Sequence, residues 1–228
     1  MSGQFECNVD LVLCIDATGS MGPIIEEVKD SARDFHGKIT EALSEKNRSV
    51  STFRIKVIVF RDYYCDGDKS MTISDFFTLP EQTDNFNSFV SSISADGGGD
   101  EPENALEAIA LAMKSDWNTD GARKRHIIMV WTDASAHKLE KASEESKPVN
   151  YPQDIPSTLT ELSDMWNDNQ TGVMNLSAKR LILFAPDMYP WSTIGSEWDN
   201  TVWVPSKAGS GMEGTDIKAV LDVLAGSI

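Results

Sequence analysis

Short, strongly apolar runs recur along the chain and are separated by more polar segments. Residues 9–15 (VDLVLCI) and 125–132 (RHIIMVWT) are rich in apolar and β-branched side chains. This pattern is typical of strands buried on both faces, and therefore of central parallel strands. Residues 53–61 (FRIKVIVFR), 180–185 (RLILFA) and 201–205 (TVWVP) are predicted to form further strands.

Apolar residues at helical spacing occupy most of the segments between these strands. Pro23 suits the first turn of a helix, and apolar positions from Ile24 to Leu43 continue one helical face. The alternation of strands and helices predicts an α/β fold with a doubly wound, mostly parallel sheet of the Rossmann-like type. The predicted helices cover residues 23–43, 83–93, 103–117, 158–169, 191–198 and 215–225.

One strand is predicted to run against the others. Residues 71–79 (MTISDFFTL) follow residues 53–61 across the polar loop 62–70. This hairpin-like connection makes residues 71–79 an antiparallel edge strand. Asp62 begins the loop, and we interpret it as a turn residue or as the ion-pair partner of Arg61.

The length of 228 residues suits one large α/β domain, and we assign residues 1–228 to it. Residues 134–157 are polar and contain prolines, which predicts a long irregular excursion from the repeating pattern. We therefore expect an irregular insertion around residues 134–178 within the single domain.

Acidic residues outnumber basic ones by 36 to 20, for a formal net charge of -16. Such a chain repels polyanions and has no surplus of basic residues to bind phosphates, so we expect no nucleic-acid partner. No apolar run reaches the roughly 20 residues that span a bilayer, and no signal-peptide pattern is present. The three cysteines have no C-x-x-C spacing. We expect a cytoplasmic protein without membrane attachment.

Two of the predicted strands end in a carboxylate. Asp16 follows residues 9–15, and Asp133 follows residues 125–132. Ligands of open α/β sheets bind beyond the carboxyl ends of the strands, where the winding direction reverses. If these two strands are neighbours, the carboxylates raise each other's pKa unless a cation lies between them. The pattern therefore predicts a divalent cation site.

Further oxygen atoms are available near this predicted site. Thr18 and Ser20 carry hydroxyls in the turn after Asp16, and Asp100 lies at the tip of the loop containing Gly97–Gly99. A set of oxygen ligands without His or Cys favours Mg²⁺ or Mn²⁺ over Zn²⁺. Mg²⁺ binds about six ligands and seldom obtains all of them from one protein, so one position stays open to water or a partner.

The segment Asp16-Ala17-Thr18-Gly19-Ser20 resembles the D-x-[ST]-x-S signature of von Willebrand factor A domains. It stands at the family's position, between the first strand and the first helix, and the resemblance extends over roughly residues 9–225. It implies a vWA-type fold and a protein partner whose acidic side chain takes the open metal position, rather than an enzyme with catalytic residues. It also implies a metal-ion-dependent adhesion site for Mg²⁺ or Mn²⁺ formed by Asp16, Thr18, Ser20, Asp100 and Asp133.

Asp100 departs from the pattern of many family members, which have Thr at this position. A carboxylate here should tighten cation binding and weaken the attraction for an acidic ligand group. The surrounding segment, GGGDEPENAL, resembles a subset of the family that carries G-G-G-D-x-P-E. Some members of that subset are attached to atypical kinases or to large matrix proteins.

Other interpretations of the same residues stay open at this point. Asp16, Thr18 and Ser20 are all common helix-capping residues. The main alternative function is a metal-dependent phosphohydrolase that uses the same carboxylates to activate water. Thr18 stands where haloacid-dehalogenase-like phosphatases carry their general acid, which argues against that family. A structural adaptor whose site no longer holds metal is the third alternative.

Overall fold

The strands of the molecule form one sheet, and each strand grows out of one of the apolar runs. The computed structural model describes residues 6–32, 35–45, 49–97, 101–144, 147–168, 173–209 and 217–228. Asp100, one of the predicted metal ligands, lies outside these ranges. The strands are β1 (Glu6–Asp16), β2 (Ser49–Phe60), β3 (Met71–Ile73), β4 (Phe77–Leu79), β5 (Lys124–Trp131), β6 (Lys179–Pro186) and β7 (Thr201–Ser206).

The order of the strands is β3-β2-β1-β5-β6-β7, with β4 also paired to β2. β1 pairs in parallel with both β2 and β5, and Ile15 lies opposite Trp131. The chain first winds outward from β1 through β2 and then returns to the other side of β1 with β5. The winding direction therefore reverses between β1 and β5, which confirms the predicted doubly wound, mostly parallel sheet.

The predicted antiparallel edge is present, but it is divided into two short strands. β3 pairs with the end of β2 and β4 with its middle, both antiparallel. Between them, the Ser74 backbone N–H donates to the carbonyl of Val57, and the Ser74 hydroxyl accepts from the N–H of Val57. A side chain thus replaces a backbone acceptor at this point, which interrupts the strand predicted over residues 71–79.

Helices connect the strands and cover both faces of the sheet. The helix predicted over residues 23–43 is described as two segments, while the helix predicted over 103–117 ends at Met113, whose carbonyl accepts from the indole of Trp117. Among the described helices, none has the length and apolarity needed to cross a bilayer. The helices are α1 (Gly22–Ala32), α2 (Phe35–Glu45), α3 (Thr83–Ser92), α4 (Ala105–Met113), α5 (Lys141–Glu144), α6 (Leu159–Asn167), α7 (Trp191–Glu197) and α8 (Ile217–Ser227).

The hydrophobic core consists of two layers, one on each face of the sheet. Successive residues of β1 alternate between them: Leu11 and Leu13 pack with residues of α1, α2, α3 and α8, while Val12 and Cys14 pack with residues of α4, α6 and α7. Because both faces are covered, residues 11–15 of β1 are all apolar instead of apolar at every second position. This burial holds the carboxyl end of β1 in a fixed position.

The excursion after β5 is anchored to the rest of the molecule by polar contacts. The hydroxyl of Tyr151 donates to Oε1 of Glu107 on α4 at 2.6 Å, and the side-chain amide of Asn150 donates to the carbonyl of Gly67 at 2.6 Å. The segment predicted as an irregular insertion, residues 134–178, contains α5 and the crossover helix α6. Burial raises the pKa of Glu107 to about 7, although the hydrogen bonds from Tyr151 and Asn104 lower it.

Candidate metal centre

Asp16 is fully buried at the end of β1, and hydrogen-bond donors surround its carboxylate. Oδ1 accepts the backbone N–H of Thr18 at 3.0 Å and the Thr18 hydroxyl at 2.7 Å. Oδ2 accepts the hydroxyl of Thr132, the residue directly after β5, at 2.7 Å. Asp16 therefore fastens the turn after β1 to the end of β5.

Burial is the main influence on the ionisation of Asp16. Removal from water raises the pKa of this carboxyl to about 6, while the bonds from Thr18 and Thr132 lower it. The neighbouring Asp133 raises the pKa of Asp16 as well, but it is the last and smallest cause. The predicted effect of a neighbouring acid is therefore present at Asp16, although desolvation exceeds it.

Asp133 is the second predicted strand-end carboxylate, and it is also buried. Its Oδ1 accepts the hydroxyl of Ser20 at 2.9 Å, and its backbone carbonyl accepts the N–H of Gly209 from the segment after β7. Parallel pairing of β1 with β5 brings these segments together, because the carboxyl ends of both strands lie at the same edge of the sheet.

A cavity of about 240 Å³ opens beside these residues. It has room for a cation with several water molecules, since one water occupies about 30 Å³ in the liquid. Asp16 lies behind Thr18, whose hydroxyl it holds. The four predicted residues that the structure describes thus divide into three that line the cavity, Thr18, Ser20 and Asp133, and one that supports them, Asp16. The lining residues are Thr18, Gly19, Ser20, Gly97, Glu101, Glu103, Asp133, Ala134 and Gly209.

The donor atoms around the cavity suit a hard divalent cation. The lining side chains provide the hydroxyls of Thr18 and Ser20 and the carboxylates of Asp133, Glu101 and Glu103. All are oxygen donors, the type that Mg²⁺ and Mn²⁺ prefer. Within the described ranges, no three His, Cys, Asp or Glu side chains are grouped closely enough to hold a metal by themselves. A cation here would depend on the two hydroxyls.

Three polar residues of the site were not predicted as part of it. Thr132 bonds to Asp16, and Glu101 and Glu103 line the cavity. Glu103 is held by a short parallel bridge: its N–H donates to the carbonyl of Ser135, and its carbonyl accepts the N–H of His137. In the sequence, Thr132 could have been recognised because it stands directly before Asp133, and Glu103 because it lies within the GGGDEPE segment.

Asp62 lies near the site but does not pair with Arg61. Its Oδ1 accepts the backbone N–H of Tyr64 at 2.7 Å, which confirms the predicted turn role. Its Oδ2 lies 3.2 Å from Nε2 of the buried His137. The alternative of an Arg61 ion pair was wrong, since the side chain of Arg61 donates to backbone carbonyls.

The sheet order, with carboxylates at its switch point, defines a class of α/β proteins that bind ligands at the carboxyl edge of the sheet. A family model for the von Willebrand factor A domain matches residues 10–150, which include the turn after β1 and the end of β5. The chain belongs to the von Willebrand factor A domain family. Domains of this family commonly mediate protein–protein interaction or adhesion.

Two curated relatives share part of this sequence. The alpha-protein kinase vwkA of Dictyostelium discoideum is 32% identical over 163 residues, 72% of this chain and 23% of that protein. An ariadne-like RING finger protein of Acanthamoeba polyphaga mimivirus is 29% identical over 134 residues, 59% of this chain and 12% of that protein. The chain thus spans less than a quarter of either relative.

Solved structures with the same fold include the pilus adhesin SpaC of Lactobacillus rhamnosus GG. Two crystal structures of SpaC, one of them in an open conformation, match with TM-scores of 0.50 and 0.51. Each match covers 96% of this chain and 30% of the adhesin chain, at 13% and 14% sequence identity. At this identity, the similarity concerns the fold alone.

Proposed function

We propose that this chain is a protein-interaction module that binds its partner through a divalent cation, Mg²⁺ or Mn²⁺, at the carboxyl edge of the sheet. The observation that carries the proposal is the 2.9 Å hydrogen bond between Ser20 and Asp133 at the cavity. It joins two residues that were each predicted as ligands, from segments far apart in the sequence.

The residues of the site have distinct roles in this proposal. The hydroxyls of Thr18 and Ser20 and the carboxylate of Asp133 face the cavity and would hold the cation. Asp16 orients Thr18 through two hydrogen bonds. Asp100 completes the ligand set implied by the family resemblance, with its carboxylate in the place of the more common Thr. When bound, the cation supplies a positive charge with a coordination position open to an acidic side chain of a protein partner.

Family membership agrees with a role in binding, because von Willebrand factor A domains commonly mediate protein–protein interaction or adhesion. The alpha-protein kinase vwkA is several times longer than the segment it shares with this chain, so we do not transfer its activity. We assign the module to the cytoplasm because its cysteines have no C-x-x-C spacing and Cys7 and Cys14 are buried, which fits reduced thiols.

A metal-dependent phosphohydrolase would use the same carboxylates differently. Both oxygens of Asp16 already accept hydrogen bonds from protein groups, which leaves this residue poorly suited to attack a phosphorus atom or to activate water. The binding function therefore fits the described geometry better. Hydrolysis of a generic phosphate ester in millimolar Mg²⁺, lost in Asp133→Ala, would favour the hydrolase.

The binding proposal is tested with the immobilised chain in cell extract, with millimolar Mg²⁺ and again with a chelator. We expect a protein retained only with Mg²⁺ and released by the chelator. Asp133→Ala should lose this retention, while Asp164→Ala, an exposed acid on α6, should keep it. Retention that is equal with chelator, or equal in Asp133→Ala, would contradict the proposal.

A further inference from the structure

Arg61 directly follows β2 and buries its side chain beneath the loops that surround the cavity. Its guanidinium donates to four backbone carbonyls. Nε donates to Asp96 at 2.8 Å and to Ala17 at 3.1 Å, Nη1 to Lys69 at 2.8 Å, and Nη2 to Ser94 at 2.6 Å. One side chain therefore connects three separate loops.

Two of these loops carry residues that line the cavity. Ala17 precedes Thr18, and Asp96 precedes Gly97. The N–H of Asp96 also donates to the carbonyl of Ala17 at 3.0 Å, so the two loops meet at the atoms that Arg61 binds. The distance between the Thr18 side and the Gly97 side of the cavity consequently depends on this junction.

The third loop, residues 62–70, packs closely against Gly97. A Cβ added to Gly97 would lie 2.1 Å from Oδ1 of Asp66, and the φ of Gly97 is +81°. Only glycine fits both this contact and this backbone conformation without strain. Because Arg61 also holds the carbonyl of Lys69, it secures the loop that fixes the position of Gly97.

Arginine is the side chain best suited to this connection. Its planar guanidinium has five N–H donors in fixed directions, and a charged donor makes stronger hydrogen bonds than a neutral one. Lysine has three donors on a single atom and cannot reach carbonyls on several sides in this manner.

We propose that Arg61 is a positioning residue for the cavity: it holds the turn after β1 and the segment Ser94–Gly97 at the spacing that cation binding requires. The effect on the cation rests on the function proposed above, whereas the effect on the loops does not. Groups that orient metal ligands typically change metal affinity about 10- to 100-fold when they are replaced.

Arg54 lies within β2, the strand that Arg61 follows, and provides a matched control. It lies seven residues earlier, roughly 20 Å away along β2, and makes a bidentate pair with Asp10 at 2.8 and 2.6 Å. Arg54→Lys should therefore cost stability near the middle of β1 and β2 without altering the cavity.

The experiment compares the wild type, Arg61→Lys, Arg61→Met and Arg54→Lys by calorimetric titration with Mn²⁺. Hydrogen exchange without metal is then followed at the N–H groups of Thr18, Asp96 and Gly97. We expect Arg61→Lys to weaken Mn²⁺ binding about 10- to 100-fold and to accelerate exchange at these three groups. Arg61→Met should have the larger effect, and Arg54→Lys should leave both readouts unchanged even where it lowers the melting temperature.

Wild-type Mn²⁺ affinity and wild-type exchange in Arg61→Lys would overturn the proposal, as would equal effects in Arg54→Lys. If the wild type itself binds no Mn²⁺, the proposed function fails and the exchange data alone decide on Arg61. If Arg61→Met does not fold, Arg61→Lys decides, because lysine keeps the positive charge but has a shorter side chain.

Discussion

The hydroxyl of Ser20 donates a 2.9 Å hydrogen bond to Oδ1 of Asp133, although 113 positions separate the two residues in the sequence. The contact exists because β1 and β5 are parallel neighbours whose carboxyl ends lie together. Behind it, Asp16 binds both Thr18 and Thr132. Two sets of hydrogen bonds thus join the ends of β1 and β5, one at the cavity and one buried beneath it.

Replacement of Asp16 should destabilise the fold whether or not metal is present. In Asp16→Ala, the N–H and hydroxyl of Thr18 and the hydroxyl of Thr132 lose their acceptor in a buried site. An orphaned buried polar group costs about 1–3 kcal/mol, so the free energy of unfolding should fall by at least about that amount. Urea unfolding in chelator measures it, with the exposed Asp164→Ala as control. Equal stability of the two variants would contradict this role of Asp16.

Glu107 should make stability depend on pH. Burial raises its pKa from 4.5 to about 7, so the folded state holds this proton more tightly than the unfolded state. Its stabilising contribution is complete below about pH 4.5 and is lost as the pH rises through about 7. Urea unfolding from about pH 5 to 8 should therefore show the wild type losing stability relative to Glu107→Gln, by at most roughly 1.4 kcal/mol per pH unit. A difference that does not change with pH would show that Glu107 has no raised pKa.

Tyr151 should hold the excursion after β5 against α4. In Tyr151→Phe, the 2.6 Å hydrogen bond to Glu107 is lost while the ring remains. We expect a loss of about 1–3 kcal/mol in the free energy of unfolding and faster hydrogen exchange in residues 147–157. Tyr189→Phe is the control, since Tyr189 is 54% exposed. The same exchange rates in both variants would rule out this anchoring role.

Gly195 should be required for the packing of α7 on β7. A Cβ at this position would lie 2.7 Å from Cε3 of Trp203, a distance that forces one element to move. Gly195→Ala should cost about 1–3 kcal/mol of stability and leave cation affinity unchanged, because neither Gly195 nor Trp203 is among the residues that line the cavity. Gly37→Ala on α2 meets no atom within 4 Å and should stabilise by up to about 1 kcal/mol. Thermal melts of both variants distinguish these outcomes; a neutral Gly195→Ala would contradict the packing argument.

The sheet and its switch point could be predicted because they follow from local patterns. Both faces of β1 are buried, so residues 11–15 form a continuous apolar run, and the acid that follows this run stands out. Asp133 was recognisable for the same reason. The division of residues 71–79 into β3 and β4 was not, because it depends on a hydroxyl of Ser74 that takes the place of a backbone acceptor.

The supporting residues of the site were much harder to predict. Arg61 donates to four backbone carbonyls, and every residue type has a carbonyl, so the sequence contains no matching partner. Thr132 resembles any strand residue until its hydroxyl is placed against Asp16. Residues that supply chemistry leave a pattern in the sequence, whereas residues that position them are identified from their contacts. Asp100 lies outside the described residues, and its role stays a prediction.

The central claim is that the cavity beside Ser20 and Asp133 binds Mg²⁺ or Mn²⁺. Thermal melts of the wild type and of Asp133→Ala, each in chelator and across millimolar Mg²⁺ and Mn²⁺, test it most directly. Because a ligand that binds only the folded state stabilises it by mass action, the melting temperature of the wild type should rise with metal concentration, and that of Asp133→Ala should not. A wild-type melting temperature that is the same in chelator and at every metal concentration would contradict the claim.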